Sequence, residues 1–401
     1  MSATKLQEGL YAVGVLNPNM RIFDVVMETQ WGTSYNAYLV QGKEKTALIE
    51  VCHKDFFDQF LSNIRQVTDP SAIDYIILNH CEPDHSGALA ALLELCPQAQ
   101  IVVSKGGSLY LKNITNRADL PFMIAKDQDV LNLGGLELRF IAAPFLHWPD
   151  SMFTYWQQEK IAFTCDFLGA HYCEPYLWDR YIAYPKSYRQ AFEYYYQGIF
   201  GPFKPYVLAG LEKLAALELT TVCPSHGPVL TRQGYLEEAM ACYHTWSLPD
   251  ENQKPELAVF YCSAYGNTAQ LGQAIAKGAK SQLPAWEVNC YDLNEQNLAE
   301  MSRRLNQAKA IAIGSPTING DAVAPVWQLL SHVDAVNNKK KPALVFGSYG
   351  WSGEAVPNLT ARLQGLKMAL FGDGLKVTFV PSAADLVNAE ALGAEFAKSF
   401  L

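Results

Sequence analysis

The sequence predicts two consecutive α/β domains, an αββα sandwich over residues 1–250 and a doubly wound parallel sheet over 251–401. Three observations carry this expectation. The chain has 401 residues, of which 49% are apolar and 18% charged, a globular composition with core enough for more than one domain of roughly 150 residues. The polar stretch Leu248-Pro249-Asp250-Glu251-Asn252-Gln253-Lys254-Pro255, bracketed by prolines, suits a linker. Across that stretch the pattern of apolar runs changes.

Before the linker, Tyr35–Val40 and Ala47–Val51 are apolar runs separated by the polar turn Gln41–Lys45, which predicts a hairpin. Tyr75–Leu78 reads as a buried strand, followed by a dense polar cluster and a helical stretch from Ser86 to Leu95. Strands and helices stay mixed to about Tyr243. After the linker, Leu257–Cys262 has the look of a buried strand. A helix follows from Thr268 to about Gln282, with Leu271, Ala274, Ile275 and Ala279 at helical spacing. Ala310–Ile313, Ala343–Phe346 and Lys376–Val380 are further strands, and Ala384–Leu401 is a closing helix. Strand–helix alternation of this kind gives a parallel sheet, because parallel strands need crossover connections.

Charge narrows the class. There are 31 Lys and Arg against 40 Asp and Glu, a net charge of −9, which argues against nucleic acid and against an anionic membrane surface as partner. No apolar run approaches a membrane span, and the first residues lack the pattern of a secretory signal, so a cytoplasmic protein is expected. The nine cysteines are scattered and never form C-x-x-C. Reduced buried thiols are expected, with no disulfide scaffold and no cysteine-held zinc or iron–sulfur site.

The chemistry concentrates in Asn79-His80-Cys81-Glu82-Pro83-Asp84-His85-Ser86-Gly87, where His80, Glu82, Asp84 and His85 follow a buried strand directly. Three candidates share that context, each beside an apolar run: His147, Asp166 and His226. Singly, each is an ordinary core or loop residue. Asp166 lies between apolar neighbours, however, and a buried carboxylate there requires a partner or a metal. Four imidazoles and three carboxylates suffice for two metals if one carboxylate bridges, and so oxygen-rich a set suits iron or manganese better than zinc.

The pattern H-x-E-x-D-H, followed by His, Asp and His at wide spacing, resembles the flavodiiron proteins, which hold a non-haem di-iron centre in a metallo-β-lactamase-like domain. Related hydrolases have His where Glu82 stands. The resemblance assigns one iron to His80, Glu82 and His147 and the other to Asp84, His85 and His226, with Asp166 bridging. Gly32–Leu39 and His147–Met152 extend the likeness across the domain. It also suggests His171 and Tyr195 as residues flanking the irons, although in Tyr194-Tyr195-Tyr196 an amphipathic helix using aromatic packing explains the run equally. Many members have a His in the stretch matching Arg21–Val25, where this chain offers Asp24.

In the second half three loops follow buried strands. They are Ser263-Ala264-Tyr265-Gly266-Asn267-Thr268 at a helix start, Gly314-Ser315-Pro316-Thr317-Ile318-Asn319-Gly320, and Gly347-Ser348-Tyr349-Gly350-Trp351-Ser352-Gly353-Glu354. Free amides at a helix N-terminus bind anions, and neither G-x-G-x-x-G nor a Walker A lysine is present. Such loops meet at the switch point of a doubly wound sheet, where FMN sits in flavodoxin-like folds. The three together resemble a flavodoxin domain. Ser263, Gly266, Asn267, Thr268, Ser315, Pro316, Thr317, Asn319, Gly320, Ser348, Gly350 and Gly353 would cradle the cofactor, and Tyr265, Tyr349 or Trp351 would flank its ring.

The resemblance implies an FMN- and di-iron-dependent oxidoreductase. Its expected reaction is four-electron reduction of dioxygen to water, or alternatively reduction of nitric oxide to nitrous oxide. It further implies an external donor such as rubredoxin or another small redox protein, since no electron-entry domain is visible. A head-to-tail homodimer, or a dimer of dimers, is implied as well, with Glu82 and Trp148 near the junction. The rivals are a zinc hydrolase carrying a flavodoxin module and a non-catalytic flavoprotein with a degenerate metal site.

Overall fold

Strand Tyr38–Gln41 pairs antiparallel with Thr46–Ile49, Tyr38 opposite Ile49, in the predicted hairpin. The computed structural model describes residues 2–25, 27–249 and 254–401, so residues 250–253 of the expected linker lie outside the described residues. The apolar run is shorter than expected because it breaks at Asn36. The Asn36 amide donates to the carbonyls of Pro224 (2.9 Å) and Gly227 (2.8 Å), while Thr33–Tyr35 forms a separate ribbon with Val15–Asn17. From Thr46–Ile49 the sheet continues in parallel through Tyr75–Leu78, Gln100–Val103 and Phe122–Ile124, seven strands in all. A second, six-stranded sheet runs from Val130–Asn132 to Leu230–Thr231.

Period-two alternation puts the two sheets face to face. Tyr38, Val40, Ala47 and Ile49 join Phe140, Ile161 and Phe163 in one buried cluster between them. Leu39 and Leu48 point the other way and pack with Phe60, Leu92 and Leu111 of the helices outside the first sheet. Phe192, Leu211 and Tyr243, from helices Pro185–Tyr195, Lys204–Ala215 and Leu236–Ser247, cover the second sheet. The result is an αββα sandwich. The helix expected over 86–95 is instead two short ones, Pro83–Ser86 and Leu89–Leu93, because the Ala88 amide donates to the Cys52 carbonyl between them.

Contacts divide the chain into two compact units, Met1–Pro249 and Asp250–Leu401. The second holds a parallel sheet in the order Glu287–Asp292, Glu256–Tyr261, Ala310–Gly314, Pro342–Tyr349, with Ala369–Leu370 and Leu375–Thr378 both pairing with the last. This is the doubly wound order with its switch point beside Glu256–Tyr261. The edge strand Glu287–Asp292 was not foreseen, since it is only partly buried and lacks an apolar run. Among the described residues no helix is long and apolar enough to cross a membrane.

Helices Asn267–Gln282 and Ala383–Lys398 pack so closely that a Cβ on Gly278 would lie 1.8 Å from the Glu390 carbonyl oxygen, and one on Gly393 would lie 2.1 Å from that of Ile275. Backbone cannot yield cheaply there. Gly278→Val is expected to destabilise the second unit by about 3 kcal/mol or more, read as a lower denaturant midpoint with unchanged slope.

Candidate functional site

The first unit gathers its chemistry at one end of both sheets. His80, Glu82, Asp84 and His85 follow strand Tyr75–Leu78, with Pro83 at the first helical position holding the turn. His147 precedes strand Met152–Trp156, Asp166 follows Ile161–Cys165, and His226 follows Thr221–Pro224. Asp84, His85, Asp166 and His226 are buried, as are His80 and Glu82, and His147 is nearly so.

Two donor groups result. Glu82 Oε2 lies 3.1 Å from Nε2 of both His80 and His147, and Asp166 Oδ2 lies 3.3 Å from His147 Nε2 and 3.7 Å from His80 Nε2. On the other side, Asp166 Oδ1 is 3.1 Å from His85 Nε2 and 3.3 Å from His226 Nε2. Asp84 presents Oδ2 to His226 at 3.1 Å and Oδ1 to His85 at 3.3 Å. Each Asp166 oxygen therefore faces a different group. Such spacings are the edges of a coordination polyhedron with bonds of about 2.1 Å. Both Asp84 oxygens, Asp166 Oδ1 and His85 Nε2 are buried without a hydrogen-bond partner, as atoms reserved for a cation would be. The residues fit two metal ions.

Outer contacts aim the rings. His80 Nδ1–H donates to Asp150 Oδ1 (3.2 Å), whose Oδ2 accepts from the Cys81 amide (2.9 Å), and His226 Nδ1–H donates to the Ser34 carbonyl (2.6 Å). Each leaves Nε2 bare and facing inward. Burial alone would keep His80 and His85 neutral, but Asp150 and Glu82 raise His80 well above its usual range, and Asp84 helps do the same for His85, so a cation at either ring displaces a proton. Burial would likewise raise Glu82, yet His147 and His80 hold its carboxyl low. Asp150 falls inside the stretch His147–Met152, and no spacing in the sequence marks it as a partner of His80. With Asn at 150, one oxygen must serve both donors. Asp150→Asn is expected to weaken iron retention under chelator challenge by roughly 10–100-fold, with flavin content unchanged.

Asp24 reaches the same centre from the turn joining Ile22–Phe23 to Met27–Glu28, where its φ of +47° is left-handed. Burial and the neighbouring Glu82 and Asp84 carboxylates push it up to about 7. His171 lies beside His226, ring centroids 4.9 Å apart, and burial together with that neighbour holds it neutral. Tyr195 meets His171 edge-on at 4.8 Å, directly before the π-helical turn Tyr196–Phe200. Its neighbours turn elsewhere, Tyr194 to solvent and Tyr196 to Ser247. Trp148 packs edge-on against His80 at 5.0 Å. Glu50, which the sequence reading passed over, is buried with φ +62° and groups with Cys165 and His85 behind the centre.

In the second unit the three loops leave strands Glu256–Tyr261, Ala310–Gly314 and Pro342–Tyr349. Side chains tie them together. Thr268 Oγ1 and Ser348 Oγ share a hydrogen bond of 2.8 Å, the Thr317 amide donates to the Ser348 carbonyl (3.1 Å), and the Ala355 amide donates to Thr317 Oγ1 (3.3 Å). Ser315 Oγ accepts from the Val323 amide, holding the second loop with Pro316, Asn319 and Gly320, the last two left-handed. Gly266 caps the helix at φ +80°, and a Cβ there would meet nothing within 4 Å, an open cradle at the N-terminus of sixteen helical residues starting with Asn267. Asn294, also unforeseen, donates to the Ser263 carbonyl. Tyr265 (91% exposed) and Trp351 (98%) present bare aromatic faces, while Tyr349 packs under Gly353, and Gly350 sits against Phe379. Anion-binding amides beside two bare rings fit a phosphorylated, planar cofactor.

Comparison with known proteins agrees. The profile described as ODP family beta lactamase matches residues 33–227, and that of flavodoxin matches residues 259–393. A flavo-diiron protein of Clostridium acetobutylicum is 50% identical over 400 residues, covering 100% of both chains. A nitric oxide reductase of Moorella thermoacetica is 32% identical over 397 residues, 98% of this chain and 97% of the relative. Among solved structures, the rubredoxin oxygen:oxidoreductase of Desulfovibrio gigas aligns with a TM-score of 0.69 at 29% identity, over 99% of this chain and 98% of that one.

Proposed function

The chain belongs to the flavodiiron protein family, and from that membership we propose that it reduces dioxygen to water, with His80, Glu82 and His147 holding one iron, Asp84, His85 and His226 the other, and Asp166 shared. It is an oxidoreductase whose cofactors are FMN and a non-haem di-iron centre. The observation that carries the reading is Asp166, with one oxygen turned to each donor group. When bound, the two irons would together supply two electrons and a reduced flavin two more, the four that dioxygen needs. The zinc-hydrolase alternative finds no support in the relatives named, and Glu82 gives the centre the oxygen-rich donor set that iron prefers.

The chain's own residues do the rest. Asp150 and Ser34 fix His80 and His226 with their Nε2 atoms inward. Phe200 and Trp148 pack edge-on against His147 and His80 and hold those two rings in place. The loops with Ser263, Thr268, Thr317 and Ser348 anchor the flavin phosphate, and Tyr265, Trp351 or Tyr349 flank the ring.

Nitric oxide reduction by the same centre is the second reading, favoured by the relative named a nitric oxide reductase. A small external redox protein supplies the electrons, as the name of the Desulfovibrio gigas enzyme says of that protein. The working unit is a head-to-tail homodimer in which each flavin serves its partner's irons near Glu82 and Trp148. Its mark would be turnover that falls steeply on dilution below the dimer's dissociation constant. The deciding experiment offers oxygen and nitric oxide separately to anaerobic, donor-reduced protein. Faster initial donor oxidation with oxygen supports the first reading, and faster oxidation with nitric oxide replaces it by the second.

A further inference from the structure

A cleft of about 390 Å³ opens on the first unit, lined by Glu28–Trp31, by residues of helix Pro185–Tyr195, and by His171. Glu28, Gln30, Gln190 and Tyr194 are exposed and form its mouth, while Thr29, Ala191 and His171 are buried and form its floor. Two polar atoms of that floor, His171 Nε2 and Thr29 Oγ1, are buried without a hydrogen-bond partner among the described residues. A buried polar atom left unpartnered is costly, so both call for a ligand.

The network around His171 says what kind. Thr33 Oγ1 lies 3.0 Å from His171 Nδ1 and 3.3 Å from the Ser34 carbonyl, so Nδ1 has its partner on the inner side of the ring. Nε2 is then the nitrogen left to pair with a molecule in the cleft. Water is the smallest molecule that pairs with an imidazole nitrogen of either tautomer and with a hydroxyl at once, and a roomy polar cavity with such anchors holds it. Across the ring, Thr33 Oγ1 is also 3.3 Å from His226 Nδ1. One imidazole separates the floor of the cleft from the metal centre.

We propose that this cleft is a solvent port, in which water held by His171 Nε2 and Thr29 Oγ1 exchanges with bulk through the mouth and passes to and from the di-iron centre. The inference rests on the gas-reductase reading but not on which gas is used. Dioxygen with four protons and four electrons gives two waters, and two nitric oxide molecules with two protons and two electrons give nitrous oxide and one water. Either way water must leave.

The test uses full-chain holoprotein poised in the mixed-valent Fe(II)Fe(III) state and mixed into D2O, with deuterons near the irons followed by freeze-quench pulsed EPR. Gln190→Trp, an exposed change at the mouth, is expected to slow deuteron entry at least ~10-fold at unchanged iron content. A crystal structure should show water on His171 Nε2, lost or displaced in Thr29→Val, which keeps the side-chain shape. Wild-type entry rates in Gln190→Trp, or no water on His171 in the parent, would overturn the port. No turnover is needed. A parent protein that reduces neither gas, while Gln190→Trp still slows deuteron entry, sinks the gas-reductase reading and leaves the port standing.

Discussion

Asp166→Ala is expected to abolish gas reduction and to leave less than one iron per chain, while the flavin band stays at its normal intensity. Of the seven candidate ligands Asp166 alone faces both donor groups, so its loss removes an oxygen from each. It also leaves four inward imidazoles with two carboxylates, Glu82 and Asp84, among buried side chains. Removing one partner from a buried charged set costs about 3–5 kcal/mol, roughly 10²–10⁴ in metal affinity. Asp166→Asn sharpens the test, because it keeps one oxygen and turns an amide N–H₂ toward the other group. One metal should remain in that variant, and the EPR signal of a coupled mixed-valent pair should vanish. Two tightly held irons in either variant would show that Asp166 does not bridge. Flavin is expected to be unaffected because the phosphate loops belong to the other compact unit.

Much of this was legible in the sequence because its physics is local. His80, Glu82, Asp84 and His85 sit within six positions after a buried strand, so their convergence needs only one turn. The three loops proposed to hold the flavin follow apolar runs that period and length identify. What escaped depends on contacts across the fold. Asp150 matters because it meets His80, seventy residues away, and Thr33 because it meets His171 and His226. Glu287–Asp292 lacks an apolar run since it is an edge strand, and the break at Asn36 follows from carbonyls near residue 225. No spacing rule encodes these meetings. Asp24 lies between the cases. Its residue type was noticed, yet only the left-handed turn shows that its carboxyl reaches Glu82.

Ser263→Asp is expected to strip the flavin and silence turnover from an external donor while iron content holds. Ser263 stands in the first loop, its hydroxyl accepting from the Ala269 amide at 3.3 Å, next to the free amides that open helix Asn267–Gln282. Those amides and the helix dipole favour an anion. A carboxylate at 263 would occupy the amides itself and repel the incoming phosphate. Each pair of like charges some 4 Å apart in a partly screened site costs about 4 kcal/mol, so flavin affinity should fall by roughly 10³-fold. Ser263→Ala separates charge from the loss of one hydroxyl, since a single neutral hydrogen bond is worth about 1 kcal/mol and should weaken binding only severalfold. Flavin per chain after dialysis reads both variants, and adding excess FMN should restore turnover to Ser263→Ala but not to Ser263→Asp. Full flavin in the aspartate variant would mean that the phosphate is anchored elsewhere than at this helix start.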